Sequence, residues 1–159
     1  MARDVQGELD GRGLRIAIVA SRFNSLVVER LRTGTCETLA SHGVDAQNIV
    51  TVLVPGAFEI PPVARRLAAS GEYDAVICLG AVIRGETPHF DHIAGSAAQG
   101  IARAGWEGPA PVIFGVLTTD TLEQALDRAG GKAGHKGTEA ALAAIEMANV
   151  YKALNGESG

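Results

Sequence analysis

Four short apolar runs, each leading into a stretch of helical periodicity, constrain this chain more than any other feature. LRIAIVA (14–20), IVTVLVPG (49–56), DAVICLG (74–80) and PVIFGVLTT (111–119) are dominated by β-branched and aliphatic residues. Runs of that kind suit strands covered on both faces. SLVVERLRTGTCETLASHG (25–43) repeats apolar or small residues at helical spacing and ends at Gly43, while Pro61 and Pro62 open VARRLAASG, which ends at Gly71. Proline fits a first helical turn and glycine a helix end. The spacing predicts a helix from about Phe90 to Ala104 and another over TLEQALDRA (121–129), with Asp120 and Glu123 as a capping-box-like start. A last long helix is expected from about Gly137 to Leu154, after the glycine-rich RAGGKAGHKG.

Strand–helix alternation implies right-handed crossovers and therefore a parallel sheet. The expected fold is α/β, a three-layer sandwich with a four-stranded parallel, flavodoxin-like sheet flanked by helices on both faces. A length of 159 residues fits one domain with one core, drawn at 14–155, with an N-terminal arm over 1–13 and a tail over 156–159. In the arm, DVQGELDG (4–11) suits an edge strand on a neighbouring subunit's sheet. No apolar run reaches the twenty or so residues that span a membrane, and MARDVQGELDGRG carries charges where a secretory leader needs an apolar core. The expected compartment is the cytoplasm. Fourteen basic against 18 acidic residues give a net charge of -4 without a basic stripe, which argues against a nucleic-acid partner. Cys36 and Cys78 are expected as buried thiols, and with no CxxC a Cys/His zinc site is not indicated.

In sheets of this class the chemistry gathers at the carboxyl ends of the strands. Those ends read ASRFNS, VPGAFEIPP, GAVIRGETPHFDHI and FGVLTTD. Delivered to one sheet edge, they offer the rings of Phe23, Phe58 and Phe114, the Glu59 carboxylate, the hydroxyls of Thr87, Thr118 and Thr119, and the His89 imidazole. Rings to stack on, a carboxylate for hydroxyl groups and a histidine to move protons suit a polar heteroaromatic substrate. Gly85 allows a close backbone approach, and amides ahead of a helix N-terminus favour an anion such as phosphate. Neither GxGxxG nor GxxxxGK[ST] occurs, so no dinucleotide or Walker-type site is indicated.

Taken singly, each residue has a plainer reading. His89 could be a helix-start hydrogen bonder, and the three phenylalanines could be core. Arg128 could complement a helix dipole, and Lys132 and Lys136 could belong to a solvated loop. His89, Asp91 and His92 offer metal-ligating atoms, but crowded at one helix start they converge poorly. Their coincidence at one sheet edge favours a site.

RFNS, VPGAFEIP, LGAVIRGETPHFD, FGVLTT and EQALDRAGGKAGHKG stand in the order and spacing of lumazine synthases, a family this chain resembles from about Leu14 to Leu154. The resemblance implies a transferase of the penultimate step of riboflavin biosynthesis. It would condense 5-amino-6-(D-ribitylamino)uracil with 3,4-dihydroxy-2-butanone 4-phosphate to 6,7-dimethyl-8-ribityllumazine, phosphate and water, with no metal and no organic cofactor. By the same resemblance, Phe23, Ala57, Phe58, Glu59, Ala81, Val82, Ile83, Phe114 and Lys136 would hold the aminouracil. Phe23 would stack on its ring, Glu59 would take ribityl hydroxyls, and Ala81 to Ile83 would act by main chain. Glu86, Thr87 and Arg128 would hold the butanone phosphate, with His89 and Arg128 catalytic. Arg128 would come from the neighbouring subunit of a homopentamer, and the connector RAGGKAGHKG resembles that of members that build a sixty-subunit icosahedral shell.

Two other readings share the fold. One is a flavin- or nucleotide-binding flavodoxin-like protein, which would purify with its cofactor. The other is a non-catalytic binder or cage of ribityl compounds, which would bind without turnover.

Overall fold

The computed structural model describes residues 2–156, so residue 1 of the arm and 157–159 of the tail lie outside the described residues. Four parallel strands, β1 (Ile16–Ser21), β2 (Ile49–Val54), β3 (Ala75–Ile83) and β4 (Val112–Thr119), form one sheet in the order β2-β1-β3-β4. Five α-helices follow: α1 (Ser25–Ser41), α2 (Ile60–Ala69), α3 (His89–Glu107), α4 (Leu122–Asp127) and α5 (Lys136–Leu154). The expected α/β three-layer architecture is therefore the one observed.

Two apolar cores sandwich the sheet. Ile16, Ile18 and Ala20 of β1 join Leu31 of α1 and Ile145 of α5 on one face, while Ala17 and Val19 join Ala64 of α2 and Ile101 of α3 on the other. All six residues of β1 are buried, and so are eight of the nine in β3. That explains why these strands read as continuous apolar runs. Removing a side chain such as Ile18 or Ile77 from water is worth about 1.5–3 kcal/mol. Cys78 lies fully buried in the second core, where burial pushes its thiol pKa up to about 12, so it stays protonated and inert. Cys36 on α1 is only half-buried, short of the expectation, and both cysteines are free.

Several boundaries differ from the expectations for physical reasons. β1 starts at Ile16 and β2 stops at Val54, before Pro55, which has no N–H for a ladder. β3 runs to Ile83, three residues past its expected end, because Ala81, Val82 and Ile83 keep pairing with Leu117, Thr118 and Thr119 of β4. The capping box of α4 is not Asp120 with Glu123. It lies one residue on, where Thr121 Oγ1 accepts from the Gln124 amide at 3.1 Å and Gln124 Oε1 accepts from the Thr121 amide at 3.2 Å. The glycine-rich connector is also structured, pairing β5 (Ala129–Gly131) with β6 (Gly134–His135) in an antiparallel hairpin that Gly130 and Gly134 enter with positive φ.

The arm lies against the body from Gly7 to Gly11. A Cβ at Gly7 would collide with the Glu146 carbonyl of α5, and Asn149 Nδ2 donates to the carbonyls of Glu8 (2.7 Å) and Asp10 (3.0 Å). Both outer strands leave apolar side chains uncovered: Val50 and Leu53 on β2, Phe114 on β4.

Candidate active site

The carboxyl ends of β1, β2 and β3 open into one cavity of about 390 Å³. Phe23 and Asn24 enter it from the turn after β1. Gly56, Ala57, Phe58 and Glu59 come from the short 3-10 turn that links β2 to α2, and Ala81, Val82 and Ile83 from the extension of β3. Gly85, Thr87, His89, Phe90 and Ile93 close the far side. Phe23 is 72% exposed and Phe58 57% exposed, far too open for core residues. Exposed rings flanking a cavity are what a stacking ligand needs.

Local chemistry explains how each wall is held. Asn24 takes the left-handed conformation (φ 61, ψ 44) that asparagine tolerates, and its Nδ2 donates to the Ala81 carbonyl at 2.8 Å. That bond ties the turn after β1 to the extension of β3. Ala81 packs in one core with Ile83 against it, and Val82 in the other, and all three also line the cavity.

Arg84 clamps the turn that follows. Its Nε donates to Asp120 Oδ1 at 2.8 Å, a terminal nitrogen lies 3.8 Å from Asp91 Oδ1, and Cζ sits 4.5 Å above the Phe90 ring. Its amide donates to the Thr119 carbonyl at 2.8 Å. The Asp120 hydrogen bond, ahead of the charges of Asp91 and Asp120, raises the guanidinium pKa above its ordinary value. The end of β4, the turn at 84–88 and the first turn of α3 are thereby joined. Within that turn Thr87 Oγ1 accepts from the His89 amide at 3.4 Å, so the imidazole sits at the first residue of α3, exposed toward the cavity. Glu86, exposed on the same turn, does not line the cavity.

The sheet is parallel throughout, so all four strand ends lie at one edge as expected, but they do not open into one cavity of this chain. Phe114 is the third residue of β4, paired in register with Cys78, and so lies mid-strand. It lines a different cavity of about 460 Å³ with Thr118, Arg128, Ala133, Lys136 and Glu139. Thr119 is buried and its hydroxyl donates to the Thr121 carbonyl at 2.9 Å. One chain therefore carries two separate groups, the rings with His89 in one cavity and the cations Arg128 and Lys136 in another. His89, Asp91 and His92 form no metal cluster, and the described residues contain no group of three or more His, Cys, Asp or Glu side chains suited to a metal ion.

Sequence reasoning missed Asn24, Phe90 and Ile93. The signal for Asn24 was present in RFNS, an asparagine immediately ahead of a helix, but its bond to Ala81 is not visible in one dimension. None of the described helices is long and apolar enough to cross a membrane. Compared with protein families, the chain matches over residues 13–152 the model described as 6,7-dimethyl-8-ribityllumazine synthase.

Proposed function

The chain belongs to the 6,7-dimethyl-8-ribityllumazine synthase family, transferases of riboflavin biosynthesis, and from that premise we propose that it joins 5-amino-6-(D-ribitylamino)uracil to 3,4-dihydroxy-2-butanone 4-phosphate. The observation that carries this reading is the cavity in which Phe23, Phe58, Glu59, the main chain of 81–83 and His89 meet. Phe23 stacks on the pyrimidine ring, Ala57 and Phe58 flank it, and Glu59 accepts hydrogen bonds from ribityl hydroxyls. Ala81, Val82 and Ile83 offer main-chain groups to the ring edge.

The aromatic primary amine attacks the ketone, and loss of water gives an imine. A proton leaves the carbon next to the imine as inorganic phosphate departs. The resulting enol becomes a ketone, the ribityl-bearing nitrogen attacks it, and a second water leaves as the new ring closes. Each step is a proton transfer or the departure of a leaving group. A histidine poised to give and take protons therefore supplies most of what the chemistry needs beyond holding the reactants together. His89 is that group. Glu86 and Thr87 present the turn to the butanone phosphate, and Arg128 balances the charge of the departing phosphate.

Arg128, Lys136 and Phe114 lie in the other cavity of the same chain, and this supports a site completed by a neighbouring subunit. Closed rotational symmetry repeats such a junction with one kind of chain. We assign a homopentamer, packed further into a sixty-subunit icosahedral shell, with DVQGELDG (4–11) of the arm adding to a neighbour's sheet edge. The reaction needs no metal and no organic cofactor, and the enzyme works in the cytoplasm.

Mixing both substrates with the protein is expected to produce the fluorescent lumazine, at an unchanged rate after EDTA treatment. Binding of a flavin without turnover, or activity lost to the chelator and restored by a divalent ion, would overturn the assignment. Phe23→Ala is expected to raise the KM for the aminouracil, since a lost base–aromatic stack is worth about 1–3 kcal/mol, or roughly fivefold to a hundredfold. The KM for the butanone phosphate should hold steady. Equal damage to both would mark the ring as structural.

A further inference from the structure

An imidazole outside both cavities holds the segment that carries the two cations. His135 is the N-cap of α5, where its Nδ1 accepts from the amides of Gly137 (3.1 Å) and Thr138 (3.3 Å). A nitrogen that accepts in this way carries no hydrogen, which places the ring proton on Nε2. Histidine is not among the favoured caps, which are Ser, Thr, Asp and Asn. What the larger ring adds is reach. It sits among glycines of three elements: a Cβ on Gly34 of α1 would collide with the ring, one on Gly137 would lie 2.9 Å from Cε1, and one on Gly130 would lie 3.2 Å from Cδ2. The same seat is reinforced by Thr35, whose hydroxyl lies within hydrogen-bond distance of the carbonyls of Leu31 (2.8 Å) and Gly137 (3.0 Å).

The capped segment carries Arg128 and Lys136. His135 pairs with Ala129 across the hairpin, and the Lys136 amide donates to the Arg128 carbonyl at 2.8 Å. The cap thus sets the start of α5, and the hairpin ties that start to Arg128. We propose that His135 is a positioning residue for phosphate recognition, a ring wedged between α1 and the hairpin that holds Arg128 and Lys136 in binding register. This rests on the reading that Arg128 meets the phosphate of the second substrate, and it adds a residue that touches neither substrate.

Three variants test it: His135→Ala, which loses cap and wedge; His135→Asn, whose Oδ1 can still cap; and Gly34→Ala, which crowds the ring while giving α1 a better helix former. His135→Ala is expected to raise the KM for the butanone phosphate at least tenfold while kcat at saturation changes little. His135→Asn should stay near the wild-type KM, and Gly34→Ala should share the elevated KM despite the improved helix. Inorganic phosphate gives a second readout without turnover. It should raise the melting temperature of the wild type and of His135→Asn, but not of Gly34→Ala or His135→Ala. An unchanged KM in Gly34→Ala, or His135→Asn as impaired as a folded His135→Ala, would overturn the positioning role. If His135→Ala does not fold, the Gly34→Ala and His135→Asn arms decide. Wild-type protein that makes no lumazine would instead sink the reaction and leave the phosphate-dependent melting shifts to judge His135.

Discussion

His89→Ala is expected to lower kcat by about a hundredfold to ten-thousandfold, the usual contribution of a general acid–base group. The KM for the aminouracil should change little. The imidazole stands at the first residue of α3, on a turn that Arg84 clamps to Asp120 and Asp91, so the ring is presented to the cavity without being part of either core. Removing it should cost proton transfer and leave the stacking and main-chain contacts in place. Some activity should persist, because two reactants held together form an imine slowly without help. Steady-state kinetics with each substrate varied in turn is the measurement, and an unchanged kcat near neutral pH would take the proton-transfer role away from His89.

Arg128→Ala is expected to reduce kcat/KM for the butanone phosphate by about thirtyfold to several thousandfold. Truncating one partner of a desolvated charge pair costs about 2–5 kcal/mol, at 1.4 kcal/mol per tenfold. The more telling experiment mixes the two disabled proteins. If each site takes His89 from one chain and Arg128 from the next, an interface between an Arg128→Ala chain and a His89→Ala chain can be intact. In a random equal mixture one half of the chains carry the needed His89 and one half of their neighbours the needed Arg128. The product, about one quarter of wild-type activity, is the expected recovery for a cyclic assembly. Light scattering should report a mass well above one chain. A monomeric mass, or no recovery once subunit exchange is demonstrated, would place both residues in the service of one chain.

The four strands and the helical layers were legible because β1 and β3, buried on both faces, have to be apolar throughout, and this survives in the sequence as LRIAIVA and DAVICLG. Strand length was not. Nothing in AVI distinguishes three more ladder pairs with β4 from the start of a loop, since pairing depends on a partner more than thirty residues away. The cap of α4 slipped by one residue because DTLEQ offers two overlapping acceptor–donor pairs, and only the backbone angles choose Thr121 with Gln124. The hairpin over RAGGKAGHKG was hidden by its glycines, which mark turns without saying whether strands flank them. For the site, the residues near β1, β2 and β3 could be grouped from strand-end logic alone. Phe114 could not, because that logic places a residue along the chain and says nothing of the sheet's outer edge, where the Arg128 and Lys136 cavity lies.

The extension of β3 has a consequence for how such a pocket can be altered. On the proposed reading Ala81, Val82 and Ile83 meet the substrate by main chain, and their peptide groups are held in a ladder with β4. A codon change rewrites side chains and leaves peptide groups as they are. Substitution at these positions would disturb packing while the pattern of donors and acceptors shown to a ligand stayed the same, as long as the strand kept its register. That pattern is beyond the reach of ordinary point mutation. Natural drift or laboratory evolution toward another heterocycle has to act on Phe23, Phe58, Glu59 and Thr87, the walls where a new side chain is a new surface. If the substrate is held as proposed, ring size and tail chemistry are open to selection, while the hydrogen-bonding edge of the accepted ring is inherited with the fold.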